Sequence, residues 1–185
     1  LLAQPIRRRT IFLGQYLGIA SSLSLSLVLG LGIPFFIYGV SQSAEFWNFA
    51  LLLITGAFLT FIFVGLAINI ALANENKIKG FSYAILLWLF LAVMYDGIFM
   101  ILLITFRDYP LDRFALIASV LNPIDLSRIL ILLKLDIAAL LGYTGAIFQK
   151  FFGSNLGVLI SFGALSVWTL IPALNLLRLA DKKDF

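Results

Sequence analysis

Apolar residues along this chain come in four long runs, at 13–38, 46–73, 81–106 and 156–177, with most charged residues gathered between them. About 20 helical residues, each rising about 1.5 Å, cross a hydrocarbon core of about 30 Å. Every run is long enough. The pattern therefore predicts an all-α polytopic membrane protein with about four transmembrane helices.

The segment 107–155 departs from that pattern. Residues 126–141 (LSRILILLKLDIAALL) are nearly all aliphatic, yet Arg128, Lys134 and Asp136 interrupt them, which argues against a fifth span. Asn122, Pro123 and Asp125 read as a helix start: Asn at the N-cap, Pro at the first helical position, and Asp in the first turn against the helix dipole. Arg128 follows Asp125 by three residues, within pairing reach on a helix surface. Gly142 and Gly145 break or bend the chain, and Tyr143, Phe148, Phe151 and Phe152 add aromatic bulk. The expectation is a set of external helices lying at the membrane surface, partly buried against the bundle, with a re-entrant hairpin as the alternative.

Composition closes off the soluble classes. Apolar residues make up 62% of the 185 residues, charged residues 12%, and the mean hydropathy is +1.08. No soluble domain of this size could hide that much apolar surface. The formal charge of +4 does not point to nucleic acid, because the basic residues stand at helix ends. Arg7, Arg8 and Arg9 precede the first run, Lys77 and Lys79 sit in the turn after the second, and Arg178, Lys182 and Lys183 close the chain. Alternating spans place all of these on one side, which the positive-inside rule makes cytoplasmic. The short connection 40–45 and the long segment 107–154 then lie outside. Trp47, Tyr38 and Tyr109 fall near the predicted interfaces, where an aromatic belt is expected.

Enzymatic chemistry lacks its parts. The chain has neither Cys nor His, so thiol chemistry, disulfides and the commonest metal ligand and general base are missing. No G-x-x-x-x-G-K-[ST] loop occurs, so ATP would be held elsewhere. Met94 and Met100 sit about 120° apart around a helix turning about 100° per residue, so they do not converge on a soft metal. The reading is a non-enzymatic chain with no cofactor and no metal site of its own.

Two features remain as leads. Asp96 lies near the middle of the run 81–106, where an ionised carboxylate costs at least a few kcal/mol unless it faces protein or water. Ala92, Asp96 and Met100 follow at four-residue spacing on one helical face, which should look into the bundle or across a dimer axis. Asp96 and Met100 are the candidate coupling residues, against the plainer reading of a structural hydrogen-bonded acid. Gly14 and Gly18 form a GxxxG followed by Ser21, Ser22, Ser24 and Ser26, which permits close helix approach either within the chain or between protomers. Gly30, Gly32 and Pro34 should kink the same helix.

The opening Leu1-Leu2-Ala3-Gln4-Pro5-Ile6-Arg7-Arg8-Arg9, followed by Leu13-Gly14-Gln15-Tyr16-Leu17-Gly18, resembles type 2 ABC transporter permeases. That family's pattern runs roughly "LL-x-x-P-[IV]-x-R … LGK-[YF]-x-G", and Gln15 stands where Lys is usual. Within the family, Tyr95-Asp96, the stretch 122–128, the stretch 140–146 and the stretch 149–153 are similar to permeases of nitrous oxide reductase maturation. The resemblance implies the last four spans of a six-span permease: 1–12 as the end of a cytoplasmic coupling segment, 13–106 as three spans, 107–155 as the external helical segment, 156–178 as the last span and 179–185 as a cytoplasmic tail. It further implies a homodimer in a bacterial inner membrane, a separate cytoplasmic ABC ATPase that contacts Pro5, Arg7, Arg8 and Arg9, and a periplasmic partner engaged in copper-site assembly. An exporter of lipid, polysaccharide or drug, a gliding-motility-type permease and a non-transporting membrane scaffold are the competing readings. The chain opens on Leu1 and reads as the C-terminal part of a longer protein.

The arginine cluster yields a direct test. Reversing the charge of Arg7, Arg8 and Arg9 together is expected to lower ATPase coupling or scramble insertion. Normal coupling with normal topology, read by a coupled ATPase assay and by thiol labelling from each side, removes the docking role.

Overall fold

The computed structural model describes residues 8–37, 46–106, 108–109, 111–135 and 145–182, and among these only helices, turns and bends occur. The elements run α1 (Arg8–Ile37), α2 (Phe46–Ala73), α3 (Lys77–Leu89), a π-helical turn (Phe90–Met94), α4 (Tyr95–Thr105), α5 (Asp112–Leu121), α6 (Pro123–Lys134), α7 (Gly145–Phe152) and α8 (Asn155–Lys182). Among the described residues, four helical stretches are long and apolar enough to cross a membrane: Arg9–Ile37, Phe46–Ala73, Lys77–Thr105 and Asn155–Ala180. The third is a single column made of α3, the π turn and α4. This is a multi-pass membrane protein.

Lipid supplies no hydrogen bonds, so polar side chains in the spans must be satisfied internally. Thr55, Thr60, Thr105, Ser161, Ser166 and Thr169 each donate to the carbonyl four residues back, at 2.7–2.9 Å. Asn76 caps α3, accepting from the Ile78 and Lys79 amides.

Three helices are knitted together towards one end of the bundle. The Tyr16 hydroxyl of α1 donates to the Phe61 carbonyl of α2 at 3.2 Å. Asn69 of α2 donates to the Pro172 carbonyl of α8 at 2.7 Å, and Asn175 donates to Asn69 Oδ1 at 3.1 Å. Gly65 makes the approach possible: a Cβ there would lie 3.0 Å from Pro172 Cβ and 3.3 Å from the Tyr16 ring. Tyr16 is close to the start of α1, and Gly65 and Pro172 are close to the ends of α2 and α8. Arg9, the Lys77–Lys79 turn and Arg178 therefore share that end.

The second core cluster sits further along and centres on α6. Leu126, Ile129 and Leu130 are buried against Phe58 and Ile62 of α2, Phe99 of α4, Phe148 and Phe152 of α7 and Leu165 of α8. α6 packs inside the bundle, and Ser127 is only 1% exposed. Helices α5 and α6 meet at a 113° bend, which has the form of a broken span or re-entrant loop. Of the charges in this segment, Arg128 faces Asp96 and Asp125. Asp136, Gly142 and Tyr143 lie outside the described residues.

That hairpin survives because its broken backbone is repaired from outside. A helix end leaves up to four carbonyls without intrahelical donors. At the end of α5, the Ala118 carbonyl accepts from the Tyr95 hydroxyl at 2.6 Å and the Val120 carbonyl from Trp168 Nε1 at 3.1 Å. Asn122 then caps α6: its Oδ1 accepts from the Ile124 amide at 3.1 Å, with Pro123 in the first turn. Its extended backbone is the one a residue before proline favours.

Two further features concern α1. α1 continues as helix through Gly30, Gly32 and Pro34. Gly14 and Gly18 face open space, with nothing within 4 Å of an added Cβ, so the GxxxG does not pack α1 inside this chain.

Two stability tests follow from this packing. Gly65→Val is expected to cost about 1–3 kcal/mol by overpacking against the Pro172 ring, whereas Gly18→Val should stay within about 0.5 kcal/mol. Asn122→Ala removes a cap and leaves a buried carbonyl bare, at about 2–4 kcal/mol together. Thermal unfolding of the variants in detergent reads all three.

Candidate functional site

The π turn makes the site. Within an α-helix the Tyr95 amide would bond to the Leu91 carbonyl. Here it reaches back five residues to the Phe90 carbonyl. The Leu91 carbonyl is released from that partner and receives Asn122 Nδ2 at 2.8 Å. The apex of the hairpin is thus seated in the one place where the column's backbone is open to it.

The next turn carries the charges. Arg128 Nη1 donates to Asp96 Oδ2 at 2.7 Å and Nη2 to Asp96 Oδ1 at 2.8 Å, a bidentate fork across 32 residues of sequence. Nη2 also donates to Asp125 Oδ1 on the same helix. Charge-assisted, two-toothed bonds of this kind fix geometry as well as energy. Two carboxylates against one guanidinium leave a net charge of −1. The N-terminus of α6, near which Asp125 stands, offsets part of it through a fractional positive charge of about +0.5.

Depth and exposure are the telling quantities. Asp96 lies nine residues before the end of α4, about 14 Å along the axis, which is near the middle of a hydrocarbon core of about 30 Å. Asp125 is 4% exposed, whereas the Asp96 and Arg128 side chains are 38% and 45% exposed. Gly97 beside them has open space where a side chain would stand. Half-exposed charges at that depth face water or protein rather than lipid tails.

The remaining expected residues fall in different places. Pro123 is buried in the first turn of α6, and Met100 is exposed on α4, one turn beyond Asp96. Ala92 is itself part of the π turn, which disturbs the four-residue spacing assumed for that face. Arg9 lies in the first turn of α1, Arg8 is described by its backbone alone, and Pro5 and Arg7 are outside the described residues. The structure therefore gathers Asp96, Asn122, Asp125 and Arg128 into one site and leaves Met100, Gly14, Gly18 and Arg9 apart from it. Sequence reasoning missed Leu91, Tyr95 and Trp168. Tyr95 and Trp168 had one usable signal, a polar handle carried inside an apolar run.

Above the ion triad, α4 and α5 enclose an apolar cavity of about 150 Å³, lined by Tyr95, Phe99, Leu102, Phe114, Ile117 and Leu121 among others.

Against known proteins, no family model matches the chain and no solved structure matches it. The chain is 27% identical over 169 residues to a curated protein of Stutzerimonas stutzeri named "Probable ABC transporter permease protein NosY". The match covers 89% of this chain and 56% of that protein, so the chain spans about half the length of the relative. Its four spans, their order and this likeness make it a chain that resembles an ABC transporter permease, with NosY as the relative to which it is similar.

Proposed function

We propose that this chain is the membrane-spanning part of an ABC permease that passes motion from a cytoplasmic NosF-like ATPase to the opposite face of the membrane. Its task is remodelling of a periplasmic NosD-like partner during copper-site assembly in nitrous oxide reductase. It works as a permease homodimer in a bacterial inner membrane, with both ends of this chain cytoplasmic. The observation that carries the reading is the Asp96–Arg128 fork, which ties a spanning column to a hairpin at the end away from Arg9 and Lys77. A motion started at the basic end reaches the hairpin through that column. The likeness to NosY supplies the system.

In this reading the chain is non-catalytic. ATP belongs to the partner, and copper is handled by the periplasmic protein, since a chain without Cys or His offers few soft ligands. A second reading, export of an amphiphile, is favoured by the apolar cavity between α4 and α5.

The test is to purify the full-length protein from its own operon and assay ATP hydrolysis and maturation of the copper enzyme. An ATPase subunit is expected to co-purify. Asp96→Asn should leave assembly intact and lower the coupled output about tenfold, in keeping with the loss of a charge-assisted pair. Full output in that variant makes Asp96 a packing residue. Hydrolysis stimulated by amphiphiles, with no effect on maturation, moves the assignment to export.

A further inference from the structure

Arg128 holds two carboxylates that belong to different bodies. Asp125 is three residues away on α6, so it moves wherever Arg128 moves. Asp96 stands on the column. Drawing the hairpin away from the column would break the Asp96 fork yet leave the guanidinium paired with Asp125. An ordinary two-residue ion pair pulled apart at membrane depth would instead leave a lone cation. The third member lowers the cost of opening.

The backbone has the same property. In the closed arrangement the Leu91 carbonyl is held by Asn122 and the Tyr95 amide by the Phe90 carbonyl. If the hairpin leaves, the Leu91 carbonyl loses Asn122. It regains a donor when the π turn Phe90–Met94 tightens to an α-helix, because the Tyr95 amide then returns to it. That change also turns α4 relative to α3, carrying Asp96 away from Arg128 and the Tyr95 hydroxyl away from the Ala118 carbonyl. Each step helps the next.

We infer that the α5–α6 hairpin is a latch with two states, in which Arg128 changes from an Asp96–Asp125 pair to Asp125 alone while the π turn relaxes to an α-helix. The inference rests on the proposed role of Asp96 in coupling and gives it a physical form. Asp96 holds the latch shut; Asp125 keeps Arg128 satisfied when it is open. The two carboxylates therefore act in opposite directions. A merely structural cluster would respond to loss of either one in the same direction.

The test uses full-length protein in lipid nanodiscs, together with any ATPase subunit that co-purifies, carrying spin labels at cysteines replacing Ile101 on α4 and Ile117 on α5. Both positions are exposed, and this chain has no cysteine of its own. Labelled protein is diluted with unlabelled protein so that distances within one chain dominate. Pulsed electron spin resonance without nucleotide is expected to show two distances, the shorter dominant. Asp96→Asn should raise the ratio of long to short about tenfold, and Asp125→Asn should lower it by a comparable factor. Arg128→Lys keeps the charge but loses the fork, and should fall between wild type and Asp96→Asn; it stands in if Asp96→Asn fails to insert. Shifts of the same sign in the Asp96 and Asp125 variants, or one unchanging distance throughout, overturn the latch. These shifts are read without nucleotide. A missing ATPase or normal maturation in the Asp96 variant therefore sinks the proposed function while leaving the latch result standing.

Discussion

A helix that stops inside a membrane leaves carbonyls that neither water nor lipid will satisfy, and the hairpin at α5–α6 holds because two neighbouring side chains answer that demand and its own apex residue caps the helix that follows. Tyr95 and Trp168 reach the carbonyls of Ala118 and Val120. Asn122 caps the next helix by accepting at its Oδ1 and donates its Nδ2 to the Leu91 carbonyl. A phenol, an indole and an amide suit the task because each carries a polar tip on a body that tolerates an apolar setting or a tight turn. Everything else at the site depends on this repair, since it fixes the height and the angle at which α6 meets the column.

The ion triad is then a consequence of position rather than a source of much stability. Charges taken out of water lose several kcal/mol of hydration each, and their mutual attraction returns little more than that loss. What a desolvated pair supplies well is register. The fork from Arg128 to Asp96 has one good geometry, and a lysine in its place would supply a point charge without the second tooth. The half-exposed state of both side chains fits a contact that must be able to open.

The four spans were legible because length and hydropathy decide them residue by residue. Asp96 was legible because a charge in an apolar run has few explanations. Its partner was not. Arg128 has an acid three residues away, so local spacing accounted for it completely, and a contact across 32 residues leaves no mark in a single sequence. The charges of 107–155 argue against a lipid-facing span, and the structure points one of them, Arg128, at Asp96 and Asp125. The π turn was invisible, since Phe90–Met94 has the same composition as the helix on either side. The Gly14–Gly18 motif marked close packing, but not which surface would use it, and here it faces away from the rest of the chain. The segments 1–7 and 136–144 lie outside the described residues.

The two ends of the bundle are held by different chemistry, and that difference gives the fold a direction. Near the Arg9 end, Tyr16, Gly65, Asn69, Pro172 and Asn175 join α1, α2 and α8 through close backbone approach and neutral bonds. Separating those helices would strand the Tyr16 phenol and the Asn175 amide and leave Asn69 only the Gly65 carbonyl of its own helix, so that end resists rearrangement. At the hairpin two polar groups have an alternative: the Arg128 guanidinium retains Asp125, and the Leu91 carbonyl has the Tyr95 amide in reserve. A structure yields where its polar groups exchange partners rather than lose them. On the proposed function, force delivered at the basic end would be absorbed little by the three-helix clasp and expressed where the column meets the hairpin.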